Sequence, residues 1–232
     1  MTSTPDQEVF TQHASEAAFL WTLRDRAVLS PMYDLGALAR LDERVEAHVD
    51  ALRLAGDAGR AVADDAAGDG IGETFVAAVL AIERGDLAAL RGLLDDSDDV
   101  QSALRAVTSA SGWCRARDVR GVMLPLCNAK SPRLRYLALA ACAAHRIDPE
   151  AALLPLLADD NRSVKARALR VAGELARMDL LGALTFELAD DHDDCRYHAA
   201  WSAALLGVAG AAPTLFELAL ESPQHARGAA AM

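Results

Sequence analysis

The second half of the sequence repeats itself with a period of about 31 residues. Four basic residues recur in it at separations of 30, 31 and 31 positions: Arg135, Lys165, Arg196 and Arg227. The same register aligns one series of large apolar residues and one series of alanines: Met123, Leu153, Leu184 and Leu215, and Ala138, Ala168 and Ala199. A unit this short cannot bury its apolar face alone, so neighbouring units must stack into a continuous core.

Each unit has the pattern of two helices joined by a polar turn. Segments 124–136, 154–166 and 185–197 begin in a short apolar stretch, pass through the turn and enter an alanine-rich stretch, with apolar residues three or four positions apart. Hydrophobic residues make up 52% of the chain and aromatic residues 5%, so alanine and leucine must form most of the core. This composition suits packed helices better than sheets. We predict an all-α fold, an α-solenoid of antiparallel helix pairs.

Within the repeats, an acid precedes a base by six positions at the entry to the second helix. The pairs are Asp159 with Lys165, Asp190 with Arg196, and Glu221 with Arg227. At these positions the sequence resembles HEAT repeats, and the resemblance covers about residues 86–232. Such an acid can cap the second helix or pair with a base on the adjoining unit, so we assign these six residues to structural contacts between repeats. The unit of Arg135 has Ala129 in place of the acid, which predicts an incomplete series there.

The segments before the repeats predict two further parts. Apolar residues recur at helical spacing on both sides of Ser30-Pro31, and a proline disfavours helix at the residue before it, which predicts a helical hairpin over residues 1–56. Five glycines between positions 56 and 72, mixed with aspartates, then interrupt the helical pattern. We predict degenerate helical repeats over residues 57–117, and HEAT-like repeats with an incomplete last unit over residues 118–232.

The N-terminal segment resembles the opening of an uncharacterised bacterial HEAT-repeat family. The residues that carry this resemblance are Glu16-Ala-Ala-Phe-Leu-Trp21, Arg24-Asp-Arg26, Leu41-Asp-Glu-Arg44, Ala47-His48 and Leu52-Arg-Leu-Ala-Gly56. Members of that family are often encoded in type VI secretion gene clusters. The resemblance implies a secretion accessory, an adaptor or an effector-handling protein, although a gene neighbourhood implies no chemistry.

Charge and hydropathy exclude several classes of partner. The formal net charge is −11, and such a field repels a phosphate backbone, so we predict no nucleic-acid binding. No apolar run approaches the roughly 18 residues that span a bilayer, and the first nine residues are acidic and polar rather than those of a signal peptide. We predict a cytoplasmic protein that has no membrane segment.

The sequence contains residue types that bind metals or act as nucleophiles, but their spacing favours structural roles. Four cysteines lie at spacings that match neither a paired CxxC site nor a disulfide framework, and each falls within a helical pattern of small apolar residues: Cys114, Cys127, Cys142 and Cys195. The carboxylates of segments 95–99 and 190–194 could hold calcium or magnesium, yet they lack EF-hand spacing. We favour the structural interpretation, in which they cap helices and lie at helix N-termini. His192 and His198 lie six positions apart across a turn, which is not a zinc signature. We predict no metal and no cofactor.

Candidate binding residues are second-helix side chains outside the Ala/Leu core register. They form an aromatic and basic strip: Tyr136, Arg167, Arg170, Tyr197, His198 and Trp201. In solenoids the second helices usually line one long face, and Tyr, Trp and Arg are frequent interface anchors. The competing interpretation is that these side chains, Trp201 in particular, belong to the core.

These observations favour a noncatalytic scaffold or adaptor for a protein partner, such as a secretion component or effector. No phosphate-binding loop, nucleophile elbow or HExxH motif is present. The alternatives are an immunity protein that neutralises a toxin and a HEAT-like enzyme such as a lyase, between which fold alone does not choose.

The end of the sequence predicts one further contact. Arg227 is followed by five residues, whereas the second helices of the earlier units run on for about ten. An apolar end of the array would then remain open, and we predict that a second copy of the chain or a partner covers it.

Overall fold

The computed structural model describes residues 5–95 and 99–222, which contain thirteen α-helices and no strand. This confirms the predicted all-α class. The first seven helices are α1 (Pro5–Ala27), α2 (Leu35–Leu54), α3 (Asp57–Ala66), α4 (Ile71–Arg84), α5 (Leu87–Asp95), α6 (Val100–Trp113) and α7 (Ala116–Leu126). The remaining six are α8 (Pro132–Ala144), α9 (Leu153–Leu156), α10 (Arg162–Glu174), α11 (Leu181–Phe186), α12 (Asp193–Leu205) and α13 (Ala212–Glu221).

The chain forms two compact units, one ending at Val122 and the other beginning at Met123, so that α7 contributes to both. The finer division at residues 56 and 117 stays a prediction. None of the described helices combines the length and the apolar character that crossing a membrane requires.

Helix α4 is the centre of the first unit. It is apolar on every side, its residues from Phe75 to Ile82 are all buried, and it packs against α1, α3, α5 and α6. The Trp21 ring of α1 stacks on Phe75 with centroids 4.6 Å apart, and Trp113 meets Phe75 edge-on at 5.5 Å. A Cβ at Gly72 would lie 2.3 Å from the Ala18 carbonyl oxygen, so only glycine lets α4 approach α1 this closely.

The turn that splits the N-terminal hairpin spans residues 28–34. Helix α1 ends before Ser30-Pro31, and α2 begins after Asp34, whose carboxylate accepts a hydrogen bond from the Ala37 N–H at 2.6 Å. The two helices pack along their length through the apolar face of α2, which is buried: Leu41, Val45, Val49 and Leu52. The proline signal therefore marked the turn, and the aspartate supplied the helix cap.

The second unit has the predicted solenoid organisation of stacked helix pairs. Its second helices α8, α10 and α12 lie side by side, while the short first helices α9, α11 and α13 continue from one-turn 3₁₀ segments. Small side chains allow the close packing. A Cβ at Gly173 on α10 would lie 2.6 Å from the Cα of Ser202 on α12, and the Ser202 hydroxyl donates to the Leu169 carbonyl at 2.7 Å.

The three second helices end in the same way. The residue after each C-cap has a left-handed backbone: Arg146 (φ 52°), Ala176 (φ 53°) and Gly207 (φ 90°). The next N–H then bonds back to a carbonyl in the last turn: Ile147 to Cys142 at 2.8 Å, Arg177 to Ala172 at 2.9 Å, and Val208 to Ala203 at 2.9 Å. These are Schellman caps, and they turn the chain sharply from each second helix into the following unit.

Candidate functional site

Bases at the start of the second helices pair with acids in the turn of the next unit. The Arg135 guanidinium binds Asp159 in a bidentate manner, with Nε 2.7 Å from Oδ2 and Nη2 2.8 Å from Oδ1. Asp159 also makes a contact within its own turn, because its Oδ1 accepts a hydrogen bond from the Asn161 N–H at 2.9 Å. Asp159 is thus a link between α8 and the turn before α10.

Lys165 makes the equivalent link one unit later. Its Nζ lies 2.5 Å from Asp190 Oδ2 and 2.7 Å from Glu187 Oε2, and all three side chains are largely buried. Asp190 Oδ1 accepts from the His192 N–H at 2.7 Å. Burial alone would raise the pKa of Asp190, but the hydrogen bonds from Lys165 and from this N–H outweigh it and lower the pKa to about 2.

Within one unit, the base contacts the backbone six positions earlier rather than the acid side chain. Arg135 Nη1 donates to the Ala129 carbonyl at 2.8 Å, and Arg196 Nη1 donates to the Asp190 carbonyl at 2.8 Å. Ala129 can therefore stand where the other units have an acid. Arg196 also pairs with Asp193 at 2.5 Å. Glu221 is exposed and has no ion pair among the described residues, and Arg227 and the predicted open end lie outside them.

Five of the six predicted binding residues lie half-buried on adjacent second helices. Tyr136 is on α8, Arg167 and Arg170 are on α10, and His198 and Trp201 are on α12. We call these five residues the second-helix strip. The sixth, Tyr197, is 3% exposed and packs in the cluster of α12 and α13 that includes Leu215 and Leu218, so it belongs to the core.

Guanidinium groups and aromatic rings alternate along the strip. The Arg167 guanidinium lies over the Tyr136 ring, 5.9 Å from its centroid, and the Arg170 guanidinium lies over the Trp201 ring at 5.6 Å. These are cation–π distances, and each contact joins neighbouring repeats. Trp201 also packs against the cluster of Tyr197, so its ring is in part a core side chain and in part a surface one.

The two arginines of the strip differ in their electrostatic surroundings. Arg170 Nε lies 2.7 Å from Glu174 Oε1 on the same helix. For Arg167, no carboxylate among the described residues lies within ion-pair distance, and its enclosed Nε has no hydrogen-bond partner there. Burial lowers the pKa of the Arg167 guanidinium and outweighs the opposing influence of Tyr136 and Glu174, and the charge of Arg170 adds a smaller lowering. The enclosed Trp201 Nε1 likewise has no acceptor among the described residues.

The described residues among those considered as metal ligands or nucleophiles lie in structural settings, and positions 96–98 of the acidic segment 95–99 lie outside the described residues. Among the described residues, no three His, Cys, Asp or Glu side chains are grouped so that they could hold a metal ion. All four cysteines are buried and unbridged, and burial raises the pKa of Cys114 strongly and that of Cys195 to about 11. These two thiols are therefore poor nucleophiles at neutral pH.

Sequence reasoning missed two features of the first unit. One is a groove of about 750 Å³ between α3, α4, α5 and α6, whose polar side chains are already engaged: Asp64 binds Arg60, Thr74 bonds backbone carbonyls, and Asp99 caps α6. The other is a contact between the half-buried His13 on α1 and His48 on α2, whose Nδ1 atoms are 2.9 Å apart. The antiparallel hairpin brings these two histidines together. In the sequence, the predicted turn between the two helices was the signal from which this proximity could have been inferred.

Comparison with known proteins gives a partial match. Residues 150–232 match the family model of HEAT repeats. No curated protein matches the sequence. The match begins at the short 3₁₀ turn before α9. It covers the pair of Lys165 with Asp190, and of the pair between Arg135 and Asp159 it covers Asp159 alone. This segment of the sequence is therefore similar to HEAT repeats.

Proposed function

We propose that the protein is a noncatalytic scaffold or adaptor that binds a protein partner through the second-helix strip. The observation that carries the proposal is the strip itself, in which half-buried aromatic rings and guanidiniums alternate across three adjacent helices. HEAT repeats generally mediate protein–protein interaction. Tyr, Trp and Arg are the residue types that most often dominate interface energies, and such anchors are effective where they are partly desolvated and rigidly held.

The division of labour among the charged residues supports this assignment. Arg135 and Lys165 have buried carboxylate partners in the next unit and hold the repeats together. The strip lies further along the same second helices, beyond these ion pairs, and its rings are held in place by the guanidiniums that cover them. A partner can therefore bind the strip without breaking the ion pairs of Arg135 and Lys165 between the repeats.

The N-terminal resemblance supports a narrower proposal. We infer that the partner is a component or effector of a type VI secretion system and that the protein acts in the bacterial cytoplasm. An adaptor of this kind needs a stable array and one recognition face, which is the arrangement proposed for the second unit.

The test is capture of the partner by matched variants. Three tagged proteins would be used to recover binding proteins from the native host: the wild type, the double strip variant Trp201→Ala/Arg170→Ala, and the single variant Phe216→Ala. The recovered proteins would be quantified by mass spectrometry. Phe216 is 70% exposed on the first helix α13, so its variant is a control for an exposed aromatic side chain on a first helix. We expect a stoichiometric protein that the wild type and Phe216→Ala retain and the strip variant loses. Loss with Phe216→Ala alone would place binding on the first helices and contradict the proposal.

A further inference from the structure

Arg167 is a half-buried cation that forms no ion pair with any carboxylate in the part of the chain that the structure describes. Five other bases of the second unit each have a carboxylate partner within ion-pair distance: Arg135, Lys165, Arg170, Arg177 and Arg196. Arg167 instead faces the Tyr136 ring, and the charged groups nearest to it on α10 are Glu174, already bound to Arg170, and Arg170 itself. The Arg167 guanidinium has therefore lost part of its hydration, and the nearby Glu174 carboxylate is engaged by Arg170 and does not pair with it.

Such an arrangement disfavours the free protein. Partly buried charges in folded proteins are normally paired, because the desolvation of an ion is costly unless an opposite charge compensates for it. Two enclosed N–H donors of the strip, Arg167 Nε and Trp201 Nε1, also have no acceptor among the described residues. The missing ligand is therefore expected to carry negative charge and to accept hydrogen bonds.

We infer that the second-helix strip binds an acidic segment of the partner protein, and that a carboxylate of this segment pairs with Arg167. The inference rests on the proposed function and names the chemistry of its partner. An ionised carboxylate accepts hydrogen bonds without donating any, and it matches a guanidinium in bidentate geometry. The rings of Tyr136 and Trp201 on either side would contact apolar atoms of the same segment.

A short acidic segment fits better than a nucleic acid. The chain carries a net charge of −11, and the local positive charge of the strip is confined to Arg167 and Arg170. A polyphosphate backbone would bring many charges into the repulsive field, whereas one or two carboxylates can be placed on the strip itself.

The experiment uses the full chain as the target for a displayed library of random dodecapeptides. An enriched peptide would be synthesised with a fluorescein label, together with a copy in which Gln and Asn replace Glu and Asp. Their dissociation constants would be measured by fluorescence anisotropy. The variants are Arg167→Met and Trp201→Ala, and the control is Arg162→Met, which alters an exposed arginine at the start of the same helix.

We expect the acidic peptide to bind at least tenfold more weakly to Arg167→Met and unchanged to Arg162→Met. The amide copy should bind weakly to the wild type and should not distinguish the variants. Arg167→Met should also raise the melting temperature of the free protein, since it removes an uncompensated charge. A purely structural arginine would instead lower it.

Other results separate failure of the inference from failure of the proposed function. If enriched peptides lack acids, or bind Arg167→Met as tightly as the wild type while Trp201→Ala abolishes binding, the strip binds a partner of different chemistry and the inference is wrong. Arg167-dependent binding of single-stranded DNA that exceeds peptide binding overturns it as well. If no enriched peptide depends on Arg167 or Trp201, the proposed function fails with it.

Discussion

At the scale of single residues, Asp190 shows how one carboxylate can join two repeats. It receives the Lys165 ammonium from the preceding unit and the His192 N–H from its own turn, and its side chain is only 9% exposed. These bonds are charge-assisted, so each is stronger than an ordinary hydrogen bond between neutral groups. Loss of the charge would leave Lys165 with Glu187 as its remaining partner.

Asp190→Asn should therefore lower the free energy of unfolding by about 1.5–3 kcal/mol at pH 7, the range for hydrogen bonds to charged groups. The pKa of Asp190 is about 2 in the folded protein and 3.8 as a reference, so the charged form is favoured by folding. Its contribution is complete above about pH 4 and is lost as the pH falls through 2. Urea unfolding should show the variant and the wild type converging near pH 2. The exposed neighbour offers a control, Asp191→Asn, which should change little; equal losses for both would contradict this role.

The histidine pair of the first unit predicts a loss of stability on acidification in the same direction as that of Asp190, but nearer to neutral pH. Burial lowers the pKa of His48, with further lowering by His13 and Arg44 and a partial offset by Glu16. The Nδ1 to Nδ1 hydrogen bond also requires one ring to accept, so it exists only while that ring is unprotonated.

Because the folded pKa of His48 lies below its unfolded value, the pair stabilises the protein fully above about pH 6.5 and loses this effect as the pH falls further. Thermal unfolding of the wild type and of His48→Gln should therefore differ most above pH 7 and converge towards pH 5. If the difference in melting temperature between the two proteins stays constant over this range, His48 does not take up a proton on unfolding and this explanation is wrong.

At the scale of the helices, the caps of the second helices show where sequence reasoning reached its limit. The pattern of bases, alanines and leucines was sufficient to predict the paired helices, because burial of an apolar face dictates that spacing. It did not reveal the three left-handed caps, since glycine marks only one of them and Arg146 and Ala176 occupy the others. The acids show the same limit: their spacing from the bases was visible, but their partners lie in the neighbouring unit, which only the stacked geometry defines.

Ala176 and Gly207 offer a matched pair of substitutions. A residue with a side chain costs roughly 1–2 kcal/mol in the left-handed region. Glycine avoids this cost, but it loses more conformational entropy on folding, which cancels part of the benefit. We expect Ala176→Gly to raise the free energy of unfolding by about 0.5–1 kcal/mol and Gly207→Ala to lower it by a similar amount. Chemical denaturation of the three proteins measures both. Stabilisation by Gly207→Ala would show that the left-handed cap is not maintained in solution.

The contact of α10 with α12 depends on a glycine for a different reason. The Cβ of Gly173→Ala would lie 2.5 Å from Ser202 Cβ and 2.6 Å from Ser202 Cα, so the two helices must move apart. We expect a loss of about 1–3 kcal/mol, the usual range for overpacking a close contact. Gly182→Ala on α11 is the control, because its Cβ meets nothing within 4 Å and should stabilise the helix by about 0.5–1 kcal/mol. If both variants were stabilised, α10 and α12 would have to be further apart than described.

At the scale of the whole molecule, the proposed recognition site is a small cationic strip on an acidic protein. The net charge of −11 acts over about a Debye length, whereas the contact of a carboxylate with Arg167 acts at hydrogen-bond range. The two effects therefore have opposite signs for an acidic partner: the field of the molecule slows the encounter, and the local pairing holds the complex once it has formed.

This opposition predicts an unusual dependence of the association rate on salt. When ionic strength rises from about 0.02 to about 0.15 M, screening should weaken the long-range repulsion, so that the association rate constant of the acidic peptide increases. The half-buried pair with Arg167 is screened less, so the dissociation rate constant should rise only modestly. Stopped-flow anisotropy with the labelled peptide measures both constants.

A basic partner, such as the nuclease that an immunity protein would neutralise, must show the reverse, with association fastest at low salt. Association of the acidic peptide that slows as salt is added would mean that the local charge of the strip governs the encounter, and that the net charge of the chain does not.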